Sequence, residues 1–213
     1  MEGGPIRAAV MADTHGVLRP EVERILETCD VIIHAGDFDS QMLYHKLDVD
    51  QPLYAVRGNN DRGWSGGLAT VKRFEIGGVK FIMAHERVDI PSSLKDVQVV
   101  IFGHSHMYYQ QEINGRLWLN PGSCGYKRFT LPLSLAVMTI EDGNYEVETI
   151  WLEKGYGTPG AAKHRWKRPR WASMKSSSGA ISRRLEKRRA ESRQRIRNSV
   201  IPGGKRRNGT ACS

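Results

Sequence analysis

Three apolar, β-branched runs at residues 6–12, 31–35 and 53–57 constrain this chain more than any other feature. Helix-forming segments separate them. Residues 20–29 read as a short amphipathic helix opening on Pro20 at its first position. Residues 40–47 read as a second helix, with Ser40 as N-cap. A βαβαβ order of this kind predicts parallel strands joined by right-handed crossovers. Ligands of such sheets bind at the carboxyl ends of the strands. Each run ends there in a polar segment: Asp13-Thr14-His15-Gly16, Gly36-Asp37 and Gly58-Asn59-Asn60-Asp61.

After residue 70 the rhythm changes. Residues 71–76 and 79–85 predict two strands joined by Gly77-Gly78, the second ending on His85. The apolar run 97–102 leads into Gly103-His104-Ser105-His106. Residues 108–113 and 116–119 flank Asn114-Gly115, the strongest hairpin signal in the chain. A last hairpin is predicted from residues 134–140 and 145–152, turning around Asp142-Gly143-Asn144. The pattern is an α/β half followed by a β-rich half, with room for two sheets.

Charge divides the chain differently. Residues 1–154 hold 15 Lys+Arg against 21 Asp+Glu, a net of −6, whereas residues 155–213 hold 17 against 2, a net of +15. The expected organisation is therefore a domain over 1–154 and a basic extension over 155–213. Three cysteines without a pairing or zinc spacing fit a reducing compartment. The N-terminal apolar run is too short for a signal-peptide core, and no stretch approaches the roughly 18 apolar residues of a membrane span. The expected location is the cytoplasm.

The polar segments share a chemistry. An Asp and a His two apart at a strand end can point to the same side and reach one ion. A carboxylate ending an apolar strand, as at Asp37, is costly to desolvate unless a cation offsets it. Asn59 adds a neutral amide oxygen, and Gly58 permits an unusual turn. Carboxylate, amide and imidazole together suit two divalent ions, Mn²⁺ first, with Fe²⁺, Zn²⁺, Ni²⁺ or Mg²⁺ as alternatives. Two ions about 3.5–4 Å apart bind a phosphoryl group and activate hydroxide for in-line attack on phosphorus. Each segment alone is also an ordinary turn. Together they hold four of the seven histidines, in order and each after a strand.

The series Asp-x-His, Gly-Asp, Gly-Asn-x-Asp, His, Gly-His-x-His resembles the calcineurin-like metallophosphoesterase superfamily. Asn120-Pro121-Gly122-Ser123 and the compact spacing are similar to its small bacterial and archaeal branch, the YfcE/MJ0936-type phosphodiesterases. The resemblance covers roughly residues 6–152 and implies a four-layer α/β/β/α sandwich of two mixed sheets. It implies that Asp13, His15, Asp37 and His106 hold one metal, and that Asp37, Asn59, His85 and His104 hold the other. It places Asp37, Asn59 and Asn60 in catalysis, and Asn59 with the Gly122–Ser123 loop near bound phosphate. The expected activity is a metal-dependent phosphodiesterase. The alternatives are a nucleotide or dinucleoside polyphosphate hydrolase, or a non-catalytic scaffold of the Vps29 type, which would be expected to lose ligands.

Two residues depart from that pattern. Asn60 stands where a His donates a proton to the leaving group in strong monoesterases. It cannot act as a general acid near neutral pH, so good leaving groups are expected. Glu86 follows the ligand histidine where Gly is common, and reads as solvent-facing rather than as a group orienting His85. Arg62 is a candidate phosphate contact and Trp64 a candidate stacking platform, or both lie in an exposed loop. His34 reads as a core histidine and His45 as a helix-surface one.

In the extension, residues 155–160 read as a linker, residues 163–171 interleave Trp166 and Trp171 with five basic residues, and residues 181–200 read as a basic helix. Residues 163–207 are candidates for nucleic-acid or ribosome contact, with a solvated, partly helical or disordered tail as the plainer reading. The natural substrate and the oligomeric state, a homo-oligomer included, stay open at this level.

Overall fold

The computed structural model describes residues 4–128, 130–152 and 163–166. The first three apolar runs form β1 (Ile6–Met11), β2 (Val31–His34) and β3 (Leu53–Ala55), separated by α1 (Pro20–Leu26) and α2 (Gln41–Asp50). Pro20 opens α1, and the Ser40 hydroxyl caps α2 by accepting from Leu43 N at 3.2 Å. Both β1–β2 and β2–β3 are parallel.

The second half supplies β4 (Val71–Ile76), β5 (Val79–Ala84), β6 (Val99–Ile101), β7 (Tyr109–Ile113), β8 (Arg116–Asn120), β9 (Ser134–Glu141) and β10 (Asn144–Trp151). A short β11 (Lys163–Trp166) pairs antiparallel with β10. It is the described part of the segment read as the basic extension. Residues 155–162 and 167–213, with the linker and helix expected there, lie outside the described residues.

The three expected hairpins turn at Gly77-Gly78, Asn114-Gly115 and Asp142-Gly143. Both central residues have positive φ in each, as the twist-matching I′ turn requires. The sheets run β11-β10-β9-β1-β2-β3 and β4-β5-β6-β8-β7, and both mix parallel and antiparallel pairs. The two mixed sheets expected from the sequence are therefore present.

Burial explains the layers. Val10, Ile33, Val137 and their neighbours leave β1, β2 and β9 apolar on both faces, so each needs a cover on either side. One face of this sheet meets the second sheet through Val10, Ile33, Met138, Phe81, Met83, Ile101 and Leu119. The other carries α1 and α2 on Ala9, Met11, Ile32 and Val137, with Val22, Leu26, Leu43 and Leu47 from the helices. The outer layer over the second sheet is thin. Ile82 and Val100 pack under Ile90, Leu94 and Val97, from the segment around a 3₁₀ turn at Arg87–Asp89 rather than an α-helix. Edge strand β4 carries Lys72, Arg73 and Glu75, charges that blunt further strand addition.

Candidate metal centre

All the expected ligands lie just beyond the carboxyl ends of parallel strands. Asp13 and His15 follow β1, Asp37 follows β2, Asn59 follows β3, His85 follows β5, and His104 and His106 follow β6. The ladder continues into these loops: Asp13 N donates to Gly36 O at 3.0 Å, His15 N to Asp37 O at 3.1 Å, and Gly103 N to His85 O at 2.9 Å. Asp13, Asp37, His85 and His106 form a buried floor, while Asn59 and His104 are exposed at the mouth.

The first ligand set is assembled. His15 Nε2 and His106 Nε2 lie 3.0 Å apart, His106 Nε2 lies 3.4 Å from Asp13 Oδ1, and His15 Nε2 lies 3.9 Å from Asp37 Oδ2. In the second set, His85 Nε2 approaches Asp37 Oδ2 at 3.4 Å and Asn59 Oδ1 at 3.0 Å, and His104 Nδ1 meets the same Asn59 oxygen at 3.0 Å. Asp37 belongs to both.

The donor chemistry fits a metal. His85 Nδ1 donates to Ala35 O at 2.7 Å, which sets Nε2 against Asp37 Oδ2 and Asn59 Oδ1. His15 Nδ1 donates to Asp39 Oδ2 at 2.6 Å, which turns its Nε2 toward the His106 ring. Lone pairs facing one another repel, and a central cation makes the same arrangement attractive. Asp13 Oδ1 and His106 Nδ1 are buried with no hydrogen-bond partner, the former within reach of the first set.

Electrostatics agree. Burial pushes the Asp13 carboxyl up to about 7, against the pull of the His85 charge and helped by the Asp37 charge. Burial acts on Asp37 in the same direction, but hydrogen bonds from His85 and Asn60 hold it below the usual carboxylate range. Burial, then the His15 and Arg128 charges, lower His106 to about 4. His85 is raised although burial opposes it, because the Asp37 hydrogen bond and the Asp13 and Asp37 charges win.

Several roles differ from the sequence reading. Asn60 does not reach outward. Its Nδ2 donates to Asp37 Oδ2 at 2.7 Å and its backbone N to Asp37 Oδ1 at 3.0 Å, so it clamps the shared carboxylate. Gly58 serves clearance rather than an unusual turn, since a Cβ there would lie 2.0 Å from Asp37 Oδ1. Gly122 and Ser123, expected near phosphate, are buried. The Ser123 hydroxyl donates to Asp13 O at 2.8 Å, and a Cβ at Gly122 would meet Ser134 Oγ at 2.2 Å. Their place is beneath the Asp13 loop, because the backbone there already takes the hydroxyl. Asn120 supports the histidine loop, donating to Gly103 O at 2.7 Å. Trp64 packs edge-on against Phe38 and so belongs to the helix-side core. Arg62 is exposed and lines a cleft beside Asn59. His45 is exposed on α2, and Glu86 is half-buried on the same cleft.

Three contributors escaped the sequence reading. Asp39 orients His15. Arg128, exposed in the loop after Ser123, acts on His106 through its charge. Asp61 binds four backbone N–H groups. The spacing Asp37-x-Asp39 is the one sequence signal that could have pointed to the first.

His34 lies beneath the cluster. Gly36 N donates to its Nδ1 at 3.2 Å, so the Nε2–H donates to Thr14 Oγ1 at 3.1 Å, and that hydroxyl donates to Asp37 O at 3.3 Å. Protonation would set Nδ1–H against Gly36 N–H. Burial, with the His85 charge, lowers this imidazole to about 3 from an ordinary 6.5. The folded state thus binds fewer protons than the unfolded one between those values. The resulting stability is full above about 6.5 and is lost as pH falls toward 3, up to about 5 kcal/mol. Thermal melts from pH 7 to 4 should fall less steeply in His34→Gln than in the parent chain. Equal slopes would remove His34 as a cause.

Among known proteins, the calcineurin-like phosphoesterase superfamily domain matches residues 6–143. A probable metallophosphoesterase of Mycoplasma genitalium is 33% identical over 133 residues, 55% of this chain and 77% of that one. A phosphodiesterase of Methanocaldococcus jannaschii is 29% identical over 146 residues, 57% and 86% of the two chains. The fold is shared with Vps29 of Entamoeba histolytica, solved complexed with Zn²⁺, at a TM-score of 0.61 and 21% identity over 77% of this chain and 100% of that one.

Proposed function

The chain belongs to the calcineurin-like phosphoesterase superfamily, and from that premise we propose that it is a metal-dependent phosphodiesterase with a dinuclear centre. The observation that carries this is the sharing of Asp37 between two nearly complete ligand sets. Asp13, His15, Asp37 and His106 would hold one ion; Asp37, Asn59, His85 and His104 would hold the other. When bound, the ions supply an activated water and offset charge on the phosphoryl oxygens. The water oxygen would bond to phosphorus and give up a proton, the opposite ester P–O bond would break, and the departing alkoxide would take a proton from solvent.

The protein's own groups do the rest. Asp39 and the Ala35 carbonyl fix which nitrogens of His15 and His85 face inward. Asn60 fixes the Asp37 carboxylate and offers no acid for the leaving group. Asn60→His is therefore expected to raise turnover of alkyl diesters relative to aryl diesters by roughly tenfold. Rates for both classes, measured with Mn²⁺, check this, and an unchanged ratio would sink it.

The scaffold alternative is disfavoured by the full set of ligand residues. Metal binding alone does not separate the two readings, since a Vps29 neighbour was solved with Zn²⁺. Turnover does. Metal-dependent hydrolysis of bis(p-nitrophenyl) phosphate supports the enzyme, and no turnover by the metal-loaded protein overturns it.

A further inference from the structure

The two flanks of the ligand cluster differ. The flank beside Asn59 and His85 is polar, with Arg57, Arg62, Glu86 and Asp89 on it. The flank beside His15 and His106 is built from three segments tied to one another. Asn120 Nδ2 donates to Gly103 O at 2.7 Å and to Ser105 Oγ at 3.0 Å, which joins the loop after β8 to the histidine loop. The Ser123 hydroxyl donates to Asp13 O at 2.8 Å and lies 3.1 Å from Tyr126 O. Gly125 presses on the Asp13 loop so closely that a Cβ there would lie 1.9 Å from Thr14 O. Arg19 Nε closes the seam by donating to Gly125 O at 2.8 Å.

Each segment carries an exposed apolar side chain: Val17, two residues past His15; Met107, next to His106; and Tyr126, three past Ser123. They are three of the six large apolar side chains left exposed among the described residues. Single exposed apolar residues are ordinary on a protein surface. Three on adjoining segments, all beside one ligand set, make a rim rather than a scatter. Tyr126 is 60% exposed and makes no ring contact among the described residues, so its face is open.

The same loop supplies a cation. Arg128 is exposed and forms no ion pair among the described residues. Its charge reaches His106 and lowers that imidazole. An uncommitted guanidinium beside a cluster suited to a phosphoryl group has an oxyanion to meet. An apolar rim next to it suits the carbon part of the same ester.

We infer that this rim recognises the organic substituent of the substrate: Tyr126, with Met107 and Val17, packs on an aromatic group, while Arg128 meets the negative charge of the phosphoryl group beside it. The inference rests on the metallophosphoesterase reading above and names the residues that bind and orient its substrate. Stacking tolerates any π-face, so the rim selects an aryl or heteroaryl group over a small alkyl one.

The test loads the full chain with Mn²⁺ and measures binding of phenylphosphonate and methylphosphonate by calorimetry. Hydrolysis of bis(p-nitrophenyl) phosphate is followed on the same sample. Each phosphonate has one organic group and no leaving group, so the readout is recognition alone. The parent chain should bind phenylphosphonate about fivefold or more tightly than methylphosphonate. Tyr126→Ala should abolish that preference and leave methylphosphonate binding within about twofold of the parent, whereas Tyr126→Phe should keep the preference. Arg128→Gln should weaken both ligands by about fivefold or more and flatten their salt dependence. Equal binding of the two by the parent, a preference that survives Tyr126→Ala, or unchanged affinities in Arg128→Gln would each overturn the inference. Hydrolysis by a parent chain that binds neither phosphonate overturns the inference alone. No hydrolysis by the loaded parent overturns the phosphoesterase reading, and the inference with it.

Discussion

Asp37→Ala should lower turnover of bis(p-nitrophenyl) phosphate by roughly a thousandfold or more and cut bound Mn²⁺ by at least half. Asp37 is 2% exposed and lies between the two ligand sets, 3.9 Å from His15 Nε2 and 3.4 Å from His85 Nε2. In the proposed sets Asp37 is the one residue assigned to both ions. The substitution also leaves the Asn60 amide, which donates to this carboxylate, without its acceptor. Metal content after equilibration and rates on the same sample check the result. A variant that keeps two ions and a rate within tenfold of the parent would show that Asp37 is not shared.

The second large effect is expected at Asp61, on stability first and metal second. Its carboxylate accepts from Asp37 N at 2.9 Å and from Phe38 N, Asp39 N and Gly58 N at 2.8 Å each. It thus ties the loop after β2 to the loop after β3. Asp61→Ala leaves four N–H groups without this acceptor, at about 1–3 kcal/mol for each that stays buried and unpaired. Allowing for water reaching half of them, the loss is about 3 kcal/mol, or roughly 10 °C in Tm for a domain of this size. Asp61→Asn should fall between, since its amide keeps one accepting oxygen and turns a donor toward N–H groups. Thermal melts measure this, with metal content on the folded fraction. A Tm within about 2 °C of the parent for Asp61→Ala would show that the clamp carries little.

The sequence reading named residues that the structure brings together beyond the strand ends, each a carboxylate, amide or imidazole after an apolar strand. It missed how they are held. Asp61 was visible as part of Gly58-Asn59-Asn60-Asp61, but nothing local shows that its partners lie more than twenty residues away at Asp37, Phe38 and Asp39. Asn60 was judged by what it cannot donate to a leaving group. Its contact with Asp37 depends on the packing of two loops. Ser123 was placed near phosphate by the family resemblance, and its burial against Asp13 O could not be read from spacing.

By itself, the sequence determined the succession of strands and helices along the chain, the three hairpin turns and the candidate ligand types. These rest on short-range physics: side-chain period, glycine at positive φ and donor chemistry. Only the tertiary structure decided the backbone that aims the ligands. Asp13, His15, Asp37, Asp39, His104 and His106 all sit at positive φ, between 46° and 68°. That conformation costs a non-glycine residue about 1–2 kcal/mol, so no local preference selects it. It persists where long-range hydrogen bonds over-determine the loop, from the strand ladder and from Asp61. The same long-range bonds, to Ala35 O and Asp39, chose which nitrogens of His85 and His15 face the ligand cluster.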